Sequence, residues 1–132
     1  GTSITVKKLS VGTKYHFKVY ASNSIGSSSY SADKTQTALP AAPVRPLLKK
    51  QKGSIKVSWK KSSDASGYKV YRATSKNGSY KLIKTVGGKN TTSFTDKSVK
   101  RNKTYYYKVC VYTTKNKKSH NSSKSAYSSL KY

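Results

Sequence analysis

The side chains that could support acid–base, nucleophilic or metal chemistry are few: Asp33, Asp64, Asp96, His16, His120 and Cys110, with no glutamate in the chain. Paired-carboxylate catalysis needs two acids flanking one scissile bond, and the three aspartates lie in separate segments. Asp96 follows Thr95 at a corner, where an aspartate ordinarily caps a turn. Cys110 and His120 could form a thiol–imidazole pair, but Cys110 lies on the outward side of a strand beside Lys108, and no third residue fixes the imidazole. It reads as an exposed thiol, either inert or a site of adventitious dimerisation. Two histidines and one cysteine are too few for a metal site, and a lone cysteine excludes an internal disulfide. These residues imply neither an enzyme nor a cofactor.

Tyrosine and lysine carry a different chemistry. Lys69 and Tyr71 in one segment, and Tyr106, Lys108 and Tyr112 in another, alternate with inward-facing residues. Aromatic plates interleaved with ammonium groups can stack on sugar rings or bases and neutralise phosphate or carboxylate. The competing reading is a solvated strand face whose lysines discourage edge aggregation.

The charge balance bears on both readings. Lys and Arg total 28 against three acids, a formal charge of +25. Lysines two apart on a strand are about 7 Å from each other, within a Debye length of about 8 Å, so a polyanion that neutralises them is favoured. Only Arg45, Arg72 and Arg101 are arginine, whereas base readout favours the guanidinium fork. Nucleic acid is therefore expected as a non-specific, salt-sensitive partner only. No apolar run approaches the roughly 18 residues of a membrane helix. Asn77, Asn90, Asn102 and Asn121 each begin a glycosylation sequon, matches that chance explains in a chain so rich in Asn, Ser and Thr.

The elements that must position these residues are strands. In residues 103–111, Tyr105, Tyr107, Val109 and Val111 alternate with Tyr106, Lys108 and Cys110, the period of a half-buried strand. A shadow recurs 90 residues earlier: Leu9, Tyr15, Phe17 and Val19 match Val99, Tyr105, Tyr107 and Val109, and Ser3-Ile4-Thr5 matches Ser93-Phe94-Thr95. A repeat at that offset predicts one complete unit and part of another. Residues 3–9, 13–21 and 28–37 are predicted strands with a turn at 23–26, too few to close a two-layer sandwich. Below about 40 residues a chain without disulfide or metal rarely folds alone.

Residues 38–46 hold Pro40, Pro43 and Pro46, the only prolines, and read as a linker entering an edge strand. Beyond it, Leu47 and Leu48 anchor a first strand, and Ile55, Val57 and Trp59 face inward from 54–60. Further strands are expected at 68–72, 80–86, 92–95 and 103–112. A polar turn at 116–119 leads to a closing strand at 123–132. Seven strands in about 90 residues make an all-β, immunoglobulin-like seven-strand β-sandwich.

Residues 43–132 resemble a fibronectin type III domain. The likeness is carried by Val57-Ser58-Trp59, Gly67-Tyr68-Lys69-Val70-Tyr71-Arg72, Thr92-Ser93-Phe94-Thr95-Asp96 and Tyr105-Tyr106-Tyr107-Lys108-Val109. Residues 1–38 look like the last three strands of a preceding module, with Leu9, Gly12, Thr13, Tyr15, Phe17, Val19, Asn23, Gly26 and Thr37 in the expected places; residues 39–46 are the linker and start of the edge strand. The Tyr-Lys-Val-Tyr-Arg run followed by Asn-Gly-Ser-Tyr is similar to tandem modules of bacterial secreted and surface proteins. The resemblance implies tyrosine corners at Tyr15 and Tyr105, and pairs the third and sixth strands so that Lys69, Tyr71, Tyr106, Lys108 and Tyr112 share one exposed sheet. It also implies an extracellular, secreted or cell-surface location. Arg-Gly-Asp is absent, which excludes integrin binding through that tripeptide.

Three functions follow as expectations. The first is a non-catalytic spacer or adhesive segment of a larger bacterial surface or secreted protein, with neighbouring modules of the same protein as partners. The second is an accessory module holding a secreted carbohydrate-active enzyme to an anionic glycan or wall polymer. In the third, residues 1–38 exchange strands with another chain to form an oligomer or filament.

Overall fold

A computed structural model describes residues 1–132, all in strands, turns and irregular chain. They divide into two compact units, Gly1–Leu39 and Pro40–Tyr132.

In the first unit β1 (Lys14–Phe17) and β2 (Lys34–Thr37) form a two-stranded antiparallel sheet with Tyr15 opposite Gln36. The turn at Asn23 is closed by its own side chain, whose Oδ1 accepts the N–H groups of Ile25 and Gly26. Residues 3–9, predicted as a strand, form none. Their counterpart in the second unit is β7 (Ser93–Asp96), which pairs with β4 (Ser54–Ser58); residues 1–39 contain no counterpart of β4, so the ladder donors have nothing to meet. Ile4 is consequently 85% exposed.

The second unit is a sandwich. One sheet has the order β3 (Leu47–Gln51), β4, β7, and the other runs β10 (Ser128–Lys131), β8 (Thr104–Lys115), β5 (Gly67–Ala73), β6 (Lys81–Gly87), with β9 (Lys118–Asn121) also pairing β8. Inward alternation fills the space between them. Ile55, Val57 and Trp59 meet Tyr68, Val70, Tyr107, Val109 and Val111 in one buried cluster, and Trp59 tilts onto Tyr68 with ring centroids 5.3 Å apart. Gly53, at φ +71°, turns β3 into β4. Gly67 has no room for a side chain, since a Cβ there would sit 2.3 Å from the Val86 carbonyl oxygen.

Three expectations need correction. Leu47 does not anchor β3; it points outward at 73% exposure, and Leu48 alone packs on the core, as the pleat requires of adjacent residues. The turn after β8 is the two-residue Asn116-Lys117, both at positive φ, so the returning strand begins at Lys118. That closing strand is interrupted. Between β9 and β10, Ser122 and Ser125 replace the regular ladder: each accepts a β8 N–H on its hydroxyl (Val111 and Val109, 2.9 and 3.0 Å) and donates its own N–H to the same residue's carbonyl.

The two sheets are joined by a polar clamp. Asp96 of β7 is 3% exposed and its carboxylate receives Arg72 of β5 (2.7 Å), the Tyr107 hydroxyl of β8 (2.8 Å) and the Ser98 N–H (2.9 Å). Removing one partner of a buried pair strands the other charge. Asp96→Ala is therefore expected to destabilise the second unit by about 3 kcal/mol, the lower end of that range because Arg72 is partly exposed. Thermal unfolding followed by circular dichroism should show a Tm lower by roughly 15 °C, while Val6→Ala at the matching position of the first unit leaves the second unit's transition in place.

Candidate ligand-binding face

The register of β5 against β8 sets Tyr71 opposite Lys108, Lys69 opposite Cys110, Gly67 opposite Tyr112 and Ala73 opposite Tyr106. Alternation then puts Lys69, Tyr71, Tyr106, Lys108 and Tyr112 on the outer face of one sheet, each half-buried. The five do not stand alone. Lys69 Nζ lies 5.8 Å over the Tyr112 ring and donates to Asn121 Oδ1 at 3.0 Å. Lys108 Nζ is 4.4 Å over Tyr80, and Lys124 Nζ is 4.5 Å over Tyr71. Tyr106 packs on Tyr127 at 5.6 Å, with Lys76 5.9 Å above that second ring. The face is a ladder of tyrosines each paired with a lysine or a second tyrosine.

Lys76, Tyr80, Asn121, Lys124 and Tyr127 were not among the sequence candidates. A signal for one of them, Lys124, existed: Ser122-Ser123-Lys124-Ser125-Ala126 matches Ser28-Ser29-Tyr30-Ser31-Ala32. Both runs use their first and last serines in the same way, Ser28 and Ser31 receiving the N–H groups of Ala21 and Val19. A repeated Ser-x-x-Ser is thus a staple that carries the intervening residues across the sheet's outer face.

The staple also overturns the exposed thiol. Cys110 points outward, as alternation requires, but is only 2% exposed. Lys124, over Tyr71, and the Tyr71 hydroxyl, 4.0 Å from Sγ, mark the cover above it. Burial pushes the thiol above the usual range. His120 pairs with Thr113, three residues along β8 from Cys110, so the thiol and imidazole are not partners. The aspartates also stay apart: Asp33 bonds His16 at 2.6 Å, Asp64 accepts from Ser63, and Asp96 holds the clamp. In addition to joining the sheets, Asp96 caps its own turn through Ser98.

Two further tyrosines lie at corners. The Tyr105 hydroxyl accepts the Lys100 N–H at 2.9 Å, and the Tyr15 hydroxyl accepts the Ser10 N–H at 2.9 Å. Both span five residues, 90 positions apart.

No known family model matches the chain. Among solved structures it is similar to an Fn3-like protein from Clostridium thermocellum, at 28% identity over 72% of this chain and 95% of that one, with a TM-score of 0.59. A two-domain fibronectin type III segment from chicken tenascin covers 96% of this chain and 69% of its own, at 16% identity and TM-score 0.62. The fold is fibronectin type III-like. A pectate lyase from Pectobacterium carotovorum shares it over 67% of this chain and 26% of its own, at 21% identity and TM-score 0.52. No helix is long and apolar enough to cross a membrane.

On this fibronectin type III-like sheet the ring faces already carry ammonium groups. A sugar or base that stacked there would displace cation–π contacts of about 0.5–1 kcal/mol each at exposed sites. The lysines, by contrast, can turn toward an anion without breaking the core.

The phenols set an alkaline limit. Burial, followed by hydrogen bonding and repulsion from Asp96, raises Tyr107 well above the ordinary tyrosine value; burial is also the main cause of the upward shifts at Tyr71 and Tyr80. These groups hold their protons longer folded than unfolded, so their contribution is complete below about pH 10 and is lost as pH rises beyond it. Cys110 adds the same trend from about pH 8.5. The Tm difference between the chain and Tyr107→Phe is expected to be steady from about pH 7 to 9 and to shift in favour of Tyr107→Phe above about pH 10, since the discharge of the lysines acts on both alike. A Tm difference between the two proteins that stayed constant through about pH 11 would contradict the assignment.

Proposed function

We propose that the chain is a non-catalytic segment of a tandem fibronectin type III series in an extracellular, secreted or surface protein, spacing other parts of that protein and adhering to anionic polymers by charge. The carrying observation is that the same corner is built twice: Tyr15 on Ser10 and Tyr105 on Lys100, at equal distances and equal spacing. The serine staples recur with it. On this reading residues 1–38 are the closing strands of one module, 39–46 the linker, and 43–132 a whole module. The charge of +25 supports the adhesive role, because it favours any polyanion without needing a shaped site.

A second reading, strand exchange with another chain, is favoured by the apolar residues that the first unit leaves in water. Val19, Ile25 and Tyr30 are 66%, 93% and 67% exposed, whereas Val109, the counterpart of Val19, is fully buried.

Modularity is tested by comparing the full chain with residues 40–132. The expected result is a Tm within about 3 °C of the full chain's, since independent units add, and a monomer in sedimentation at all concentrations. A large loss of Tm on truncation would end the modular reading, and concentration-dependent assembly of the full chain alone would move the assignment to strand exchange. Adhesion is tested on dextran sulfate resin, from which the full chain should elute at a salt concentration well above physiological; failure to bind at low salt would remove the adhesive role.

A further inference from the structure

One end of the second unit concentrates cations around a shaped hollow. A cleft of about 700 Å³ opens between residues 74–76, after β5, and residues 100–106, and is lined by Lys76, Lys100 and Lys103 with Thr74, Ser75 and Tyr106. A second hollow of about 320 Å³ adjoins it, sharing Asn102 and lined by Lys50 and Arg101. The backbone at this junction is tied down. Asn102, at φ +60°, donates its N–H to the Tyr132 carbonyl at 2.8 Å, Tyr132 returns its N–H to the Lys103 carbonyl at 2.9 Å, and Lys100 is held by the Tyr105 hydroxyl. Lys100 and Lys103 are exposed, and the aspartate of this corner, Asp96, is committed to Arg72, Tyr107 and Ser98. None of Lys76, Lys100 and Lys103 makes an ion pair.

We propose that these joined hollows bind a polymer carrying repeated phosphates on a polyol backbone, one phosphate among Lys76, Lys100 and Lys103 and the next toward Lys50 and Arg101. This inference rests on the anionic-polymer reading and gives that polymer a chemical class. Three features select it. Compact ammonium groups from separate segments act as point charges that can approach a tetrahedral phosphate from several sides. Polyol hydroxyls find partners in Thr74, Ser75 and Asn102. A nucleobase finds no free aromatic plate: Tyr106 is packed on Tyr127, Tyr105 lies under Arg72, and Tyr132 lies under Lys50, whereas single-stranded nucleic acid binding depends on stacking.

The test uses the full chain at physiological salt, with calorimetric titration of a synthetic glycerol phosphate oligomer, an oligogalacturonate of equal charge and a thymidine oligonucleotide of equal charge. Lys100→Gln/Lys103→Gln is expected to weaken the glycerol phosphate oligomer about tenfold. Lys56→Gln/Lys84→Gln, which removes the same charge from exposed positions outside both hollows, is expected to weaken it about twofold. Amide shifts on titration should centre on Thr74, Ser75 and Asn102, and an unchanged Tm verifies folding of each variant. Equal losses in the two variants would overturn the cleft and leave the general adhesive reading standing. Tighter, Lys100- and Lys103-dependent binding of the thymidine or galacturonate oligomer would replace the polyol phosphate with that ligand. Failure of the unmodified chain to bind any of the three would sink the anionic-polymer reading along with the cleft.

Discussion

The Asp96 carboxylate is the constraint on which the second unit turns. It is the one acid in that unit's interior, and its three donors come from β5, β8 and its own turn, so a single group joins both sheets and starts the corner that follows. Ser98, held by Asp96, leads to Lys100, held by Tyr105; Asn102 then turns in the left-handed region and hands Lys103 to β8. The cleft cations are thus positioned by a chain of bonds that begins at a buried carboxylate. Burying that charge is costly unless it is paired, and here the pairing also fixes the surface.

The first unit has the corner without the clamp. At the 90-residue offset Asp96 becomes Val6 and Tyr107 becomes Phe17, so the acid and its hydroxyl donor are exchanged together for apolar residues. A lone Asp or a lone Tyr there would leave an unpaired polar group once buried. The joint replacement is what an interior of the same shape but hydrophobic character demands, and it indicates that Val6 and Phe17 are suited to burial even though Val6 is 49% exposed here. What both units retain is the part made of local bonds: the tyrosine on backbone five residues upstream, and the serine staples on alternate strand residues. Local bonds survive where long-range packing is absent.

Much of the fold was legible because strand alternation is a local code. Ile55, Val57, Trp59, Tyr68, Val70, Tyr105, Tyr107, Val109 and Val111 read as inward and are buried. Alternation tells which side of a sheet a residue takes, but not what crosses that side. Alternation gives Cys110 the correct face and the wrong exposure, because its cover comes from a stapled serine run that reads as a continuous closing strand. Lys69, Tyr71, Tyr106, Lys108 and Tyr112 were assembled through the pairing of β5 and β8, while Tyr80, Lys124 and Tyr127 depend on where β6 and the interrupted closing strand bring them. Residues 3–9 have a strand's composition and lack a partner, so propensity alone did not make a strand. The cleft cations sit in turns, where no periodicity marks them.

Charge gives the remaining link between stability and adhesion. Lys49 stands directly opposite Lys56 in the β3–β4 ladder. Like charges directly across a ladder are destabilising, and the tyrosine rings relieve this only where a lysine can reach one, as Lys108 and Lys124 do. A polyanion that binds the folded chain removes the cost elsewhere, and whatever binds the native state in preference to the unfolded one adds to its stability. On the proposed adhesive reading, the polymer that neutralised the lysine-rich surface would therefore also make the self-repelling fold firmer.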